Sequence, residues 1–150
     1  MHMIDLDETD KHVLTEVLRD SRQSYREIAR RIDVSPGTVV SRVRDMEEKG
    51  IIKKFTANID FEKLGYDLTV VTEVTVSNGM IFEAGQEIVK IKQAYAIYNV
   101  TGDSDVMVIA KFRNREELSN FTKKILKIPN VERTKTHLVL NTLKEDFNII

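Results

Sequence analysis

The chain has 150 residues, 41% of them hydrophobic and 31% charged, with a formal net charge of −1 at pH 7. That length fits one domain or two small ones, and no apolar run approaches the ~20 residues a membrane-spanning helix needs. The absence of cysteine excludes disulfides and thiolate metal sites and points to a cytoplasmic setting. No basic segment leading into an apolar stretch marks a secretory signal.

The charge is unevenly spread. Residues 1–20 carry two basic and six acidic side chains, residues 21–54 carry nine and five, and residues 55–150 carry twelve and thirteen. A basic patch confined to 21–54 is the electrostatic footprint of a nucleic-acid contact, with a solvated basic face as the alternative.

Before residue 60 the pattern is helical. Asp7 is placed to cap a first helix, whose apolar stripe is Val13, Leu14, Val17 and Leu18. Ser24, with Glu27 three residues later, makes a capping box for a second helix that turns Ile28 and Ile32 inward. Ser35 caps a third. Pro36 sits in its first turn, where no backbone N–H is needed. Val39, Val43 and Met46 form its inner stripe, and Gly50 ends it. A tight turn at Asp33-Val34 joins the second and third helices, which is the layout of a helix-turn-helix.

The third helix is expected to present Thr38, Ser41, Arg42 and Asp45 opposite its apolar stripe. Gly37 lets the start of the helix approach a base pair or phosphate closely. Arg42 suits a bidentate contact with guanine, and Thr38 and Ser41 suit hydrogen bonds to bases or phosphates. Arg26, Arg30 and Arg31 on the second helix fit phosphate contacts, which position a protein without reading sequence. Ser35, Pro36 and Arg44 complete the set expected to meet double-stranded DNA.

Next, Ile51, Phe55, Ala57 and Ile59 alternate with Lys54, Thr56 and Asn58. This predicts an extended connecting strand, which with one apolar face needs a partner and is expected to pair with its copy in a second subunit. Downstream, strands are predicted at 69–76, 95–101, 105–112 and 133–142. Helices are predicted at 80–91 and after Asn114, the latter stopped by Pro129. The run from Val106 to Ala110 is apolar throughout and marks a central strand. The order β-α-β-β-α-β is that of a ferredoxin-like unit. The expected class is therefore α+β: a helix-turn-helix domain over 1–52, a linker strand and hinge over 53–66, and a ferredoxin-like domain over 67–150.

Thr101-Gly102-Asp103-Ser104-Asp105 joins two of these strands. As a hairpin turn it is ordinary. As a site, Asp103 and Asp105 would hold an ammonium group while backbone N–H groups meet a carboxylate. His2, His12 and His137 lack metal-ligand spacing, and no phosphate-binding or dinucleotide fingerprint is present, so neither a metal nor a cofactor is expected.

Several of these motifs occur together in one known order. Leu6-Asp7-Glu8-Thr9-Asp10 precedes the first helix, and Ser35-Pro36-Gly37-Thr38-Val39 opens the third. Arg42-Val43-Arg44, Glu47 and Gly50-Ile51-Ile52 follow, then Phe55 to Asp60 and Leu64-Gly65-Tyr66. In this the chain resembles the Lrp/AsnC family of bacterial and archaeal transcriptional regulators, and the resemblance covers essentially its whole length. It implies a winged helix-turn-helix domain that binds DNA, a homodimer that assembles further to tetramers or octamers, and a second domain of the same βαββαβ plan. It also implies that small effectors, often amino acids, bind at the Gly-Asp-x-Asp turn where dimers meet. On that basis Gly102, Asp103 and Asp105 are the expected effector residues, with Thr134 and Thr136 of the last strand lining the pocket. Ser104 departs from the family, which often has an aromatic residue there. Two other readings stay open: a tetrapyrrole decarboxylase related to the same family, against which the basic third helix argues, and a DNA-packaging protein of low specificity.

Overall fold

The computed structural model describes residues 4–146. The chain divides into two compact units, one reaching Asn58 and the other comprising Ile59–Lys144.

The first unit holds three helices, α1 (Glu8–Arg19), α2 (Tyr25–Arg31) and α3 (Pro36–Glu48). Each starts at a side chain that satisfies an otherwise orphaned backbone N–H. Asp7 Oδ1 accepts from the Asp10 N–H at 2.8 Å, and Asp10 Oδ2 accepts from the Asp7 N–H at 3.2 Å. A capping box therefore opens α1 as well as α2, where Ser24 and Glu27 form the expected one. Ser35 Oγ accepts from the Thr38 N–H at 3.1 Å, and Pro36 takes the first turn of α3.

The helix ends are equally local. Asp33 adopts a left-handed conformation (φ +56°) after α2, and the Val34 N–H reaches back to the Ala29 carbonyl at 3.0 Å. Gly50 does the same after α3 (φ +70°), with the Ile51 N–H on the Met46 carbonyl at 2.8 Å. The first reversal sets the turn between α2 and α3. Val13, Leu14, Val17, Ile28, Ala29, Val39, Val43 and Met46 form the core, and Ile32, Ile51 and Ile52 pack on it. Leu18, expected on the stripe, lies at its rim and is 36% exposed. Among the described residues, 53–60 form no strand pairing.

The second unit runs β1 (Leu68–Val76), α4 (Ile81–Val89), β2 (Ala94–Asn99), β3 (Val106–Phe112), α5 (Arg115–Leu126) and β4 (Val131–Leu138). The strands form one antiparallel sheet in the order β2-β3-β1-β4, the ferredoxin-like arrangement. Ala84 and Ile88 of α4 and Phe121 and Ile125 of α5 pack on alternate residues of β1 and β3, from Val70 to Phe112. Both helices thus cover the same face. β3 is central as its apolar run predicts, yet only every second residue is buried; Met107 and Ile109 point to the other face and are partly exposed.

Candidate nucleic-acid interface and ligand-binding turn

The outward face of α3 is made by Gly37, Val40, Ser41 and Arg44, spaced at one helical turn and all exposed. Thr38 is half-buried, and its hydroxyl lies 2.8 Å from Ser35 Oγ, so both hydroxyls serve the helix cap. Asp45, seven residues on and so on the same edge of the helix, is also half-buried.

Arg42 departs from expectation. Its Nη2 lies 3.0 Å from Asp7 Oδ2 and its Nη1 3.3 Å from Asp10 Oδ1, so the guanidinium is tied to the start of α1 and not offered on the outer face. The reason is helical geometry. At ~100° per residue, Arg42 falls about 70° from the centre of the buried stripe, within reach of the neighbouring helix, whereas Gly37, Val40, Ser41 and Arg44 fall well outside it. Arg44 is the basic residue on the outer face, 76% exposed in its side chain and paired among the described residues with Glu48 one turn on, at 2.8 Å. Val40, 47% exposed, had no place in the sequence pattern beyond the apolar run; its signal is a β-branched residue three positions after Gly37 and four before Arg44.

On α2, Arg26 and Arg30 are exposed, and neither forms an ion pair among the described residues. Arg31 is different: its Nη1 lies 3.3 Å from Glu16 Oε2 on α1, a carboxylate that also holds Arg19 at 3.0 Å. Arg31 thus joins α2 to α1.

In the second unit, Gly102 takes a φ of +121°, a conformation that favours glycine, and Asp103 is exposed at the tip of the turn. Asp105 works inward. Its Oδ2 accepts from the Val76 N–H at 2.7 Å, and its own N–H donates to the Val74 carbonyl at 3.1 Å, fastening the turn to the end of β1. Ser104 donates to Glu73 Oε2 at 2.9 Å. Glu73 also meets His137 Nε2 at 2.7 Å and Lys135 Nζ at 3.7 Å. The His137 hydrogen bond, then that of Ser104, hold the Glu73 carboxyl below its ordinary value of 4.5, against a smaller desolvation effect.

Thr134 and Thr136 lie on the other face of β4 from His137, as the alternation predicts. Thr136 Oγ1 is 3.1 Å from Oγ1 of the fully buried Thr72. Together with Leu68, Leu118, Leu138 and Arg115 they line a groove of about 620 Å³ between β4 and α5. Gly102, Asp103 and Asp105 do not border that groove. The turn and the groove thus flank the end of β1 from two sides, Asp105 bonding to Val74 and Thr134 pairing with it. Among the described residues no cluster of three His, Asp or Glu side chains is placed to hold a metal ion, and no helix is long and apolar enough to cross a membrane. His2 lies outside the described residues.

Residues 6–53 match the family model of winged helix-turn-helix DNA-binding domains, and residues 69–149 match that of the Lrp/AsnC ligand-binding domain. The chain belongs to the Lrp/AsnC family. An HTH-type transcriptional regulator of Pyrococcus abyssi is 44% identical over 96% of this chain and 98% of its own length. The regulator FL11 of Pyrococcus horikoshii is 39% identical over 95% of this chain and 94% of its own. Among solved structures, a feast or famine regulatory protein from Mycobacterium tuberculosis, complexed with L-methionine, is similar at a TM-score of 0.89. It is 26% identical, and the match covers 96% of this chain and 98% of that one. LrpC of Bacillus subtilis gives 0.83 at 29% identity, over 95% and 100% of the two chains. Like these relatives, this Lrp/AsnC protein is a DNA-binding transcriptional regulator.

Proposed function

We propose that this regulator works in the cytoplasm as a homo-oligomer, reads a specific DNA sequence through α3, and responds to a small amino acid. The observation that carries the proposal is the outer face of α3, where Gly37, Val40, Ser41 and Arg44 stand clear of the core. Arg44 takes the base-reading role expected of Arg42, since its exposed i,i+4 pair with Glu48 is weak and easily exchanged for a base or phosphate. Ser35, Pro36 and Thr38 shape the helix end that meets the DNA backbone, and Arg26 and Arg30 supply phosphate contacts.

Two apolar features support self-association. Phe55 and Ile59 are 44% and 45% exposed in a segment that forms no strand pairing among the described residues. The sheet face bearing Met107 and Ile109 is the one opposite to α4 and α5 of its own unit. A dimer would offer two α3 helices to half-sites about 34 Å apart, one DNA turn.

The methionine bound by the similar Mycobacterium protein supports an amino-acid effector here. Asp103, exposed at the turn, is assigned the ammonium group, the Gly102 backbone the carboxylate, and Asp105 the shape of the turn. Thr134 and Thr136 offer hydroxyls beside an apolar groove wall suited to the effector's side chain. The turn does not border this groove, and assembly of copies is assigned the role of bringing the two together. A non-enzymatic role accords with the relatives, which are named as regulators.

Selection of bound sequences from random duplexes tests the DNA reading, and calorimetric titration with each L-amino acid tests the effector. The expected results are a partly palindromic motif and one amino acid that binds and alters DNA affinity or assembly. Binding without an enriched motif would instead indicate a packaging protein. A tetrapyrrole complex with no DNA binding would indicate the decarboxylase relatives.

A further inference from the structure

We propose that Val40 is a base-reading residue that recognises the 5-methyl group of thymine. The proposal rests on α3 being the DNA-reading helix.

Val40 is 47% exposed, while its neighbour Val39 is fully buried. Neither the core nor the residues packed against it include Val40. A β-branched residue is a poor choice for an exposed helix position, because its χ1 freedom is restricted there. Its surroundings on the outer face are Gly37 one turn before, Ser41 beside it and Arg44 one turn after.

Gly37 supplies a second observation. A Cβ added at Gly37 would meet only Ser35 Oγ, at 3.7 Å, an ordinary contact, and the backbone there is not left-handed. Neither packing nor conformation within the domain requires glycine, and a helical glycine costs backbone entropy. The space it leaves lies one turn from Val40, on the same face. A missing side chain followed by an apolar one gives a surface that lets a DNA strand close in and then offers it a methyl-sized contact.

The chemistry of the major groove selects the base. Thymine is the ordinary base that carries a methyl group on that edge, whereas guanine, adenine and cytosine present only hydrogen-bonding groups. An isopropyl group gives and accepts no hydrogen bond, so against those bases it would leave polar edges without water. Against thymine both partners lose apolar surface to solvent. Removing one methyl from such a contact is worth about four- to tenfold in affinity.

The test uses the full-length protein and a duplex recovered by random selection. Each thymine of the half-site is replaced singly by deoxyuridine, which lacks only the methyl, and affinity is read by fluorescence anisotropy at fixed salt. Wild type is expected to lose about four- to tenfold at one thymine per half-site. Val40→Ala is expected to bind the unmodified duplex more weakly and to lose less than about twofold at the same replacement. Unchanged helical circular dichroism and melting would show that the variant is folded. A half-site without thymine, a wild type indifferent to every replacement, or an equal penalty in Val40→Ala would each overturn the role of Val40 and leave α3 as the reading helix. Failure to recover any motif would overturn the reading on which it rests.

Discussion

The Arg42 guanidinium of α3 lies 3.3 Å from Oδ1 of Asp10 on α1, and Asp10 is only 7% exposed. The same Asp10 carboxylate closes the capping box at the start of α1. One acidic side chain therefore both begins the first helix and holds the third against it. α3 is positioned by a charge pair at the edge of the core as well as by Val39, Val43 and Met46 within it.

This relationship separates two arginines that look equivalent in sequence. Arg42→Ala should lower the stability of the first unit by about 1.5–3 kcal/mol, the range for hydrogen bonds to charged groups. It should weaken binding to preferred and random DNA by the same factor, since it moves α3 without touching a base. Arg44→Ala should leave the melting temperature nearly unchanged and reduce binding to the preferred site more than to random DNA. Thermal melting and anisotropy on both duplexes read the two effects; loss of discrimination in Arg42→Ala alone would reverse the assignment.

The two aspartates of the turn divide in the same way. Asp105→Ala leaves the Val76 N–H without its acceptor and should cost about 1–3 kcal/mol in urea denaturation. Asp103 makes no comparable bond among the described residues, and Asp103→Ala should stay within about 0.5 kcal/mol of wild type. If the turn binds an effector's ammonium group, Asp103→Ala should nonetheless lower effector affinity at least tenfold by calorimetry. An unaltered affinity would remove Asp103 from the site.

Phe121 is 1% exposed and its ring lies 5.0 Å from that of Phe112, centroid to centroid. Phe121→Ala should cost about 3–5 kcal/mol through lost burial and the cavity left behind. With no tryptophan in the chain, amide exchange is the suitable probe. Protection should fall across β1, β3 and α5 and persist in α1 to α3, because the two units have separate cores.

Glu73 gives a pH dependence with a definite sign. Its carboxyl is held below its ordinary value of 4.5 in the folded state, first by His137 and then by Ser104. A group depressed in this way stabilises the fold fully above its unfolded value, and the contribution disappears as pH falls through the folded value. Wild type should therefore be more stable than Glu73→Gln at neutral pH. That advantage should shrink steadily once pH drops below 4.5. Urea denaturation of both proteins across this range would show it; parallel curves would mean that Glu73 gains nothing from His137 and Ser104.

The amino-acid sequence alone determined the caps at Asp7, Ser24 and Ser35, the stop at Gly50, the inward stripe of α3 and, but for Leu18, that of α1. It also determined the β-α-β-β-α-β order. These follow from signals within a few residues: a side chain that satisfies its own helix end, a glycine free to turn left-handed, and periods of 3.6 or two that sort apolar from polar. Tertiary structure alone decided what the polar side chains at the edges touch. Arg42 turned to Asp7 and Asp10, Arg31 to Glu16, and Ser104 to Glu73 across 31 residues. It also set Asp103 and Asp105 apart from the groove of Thr134 and Thr136, and left Val40 and Arg44 as the outward face of α3. Burial acts on every apolar residue in the same direction, so periodicity reveals it. A long charged side chain instead chooses among partners that only the packing of distant segments brings within 3–4 Å.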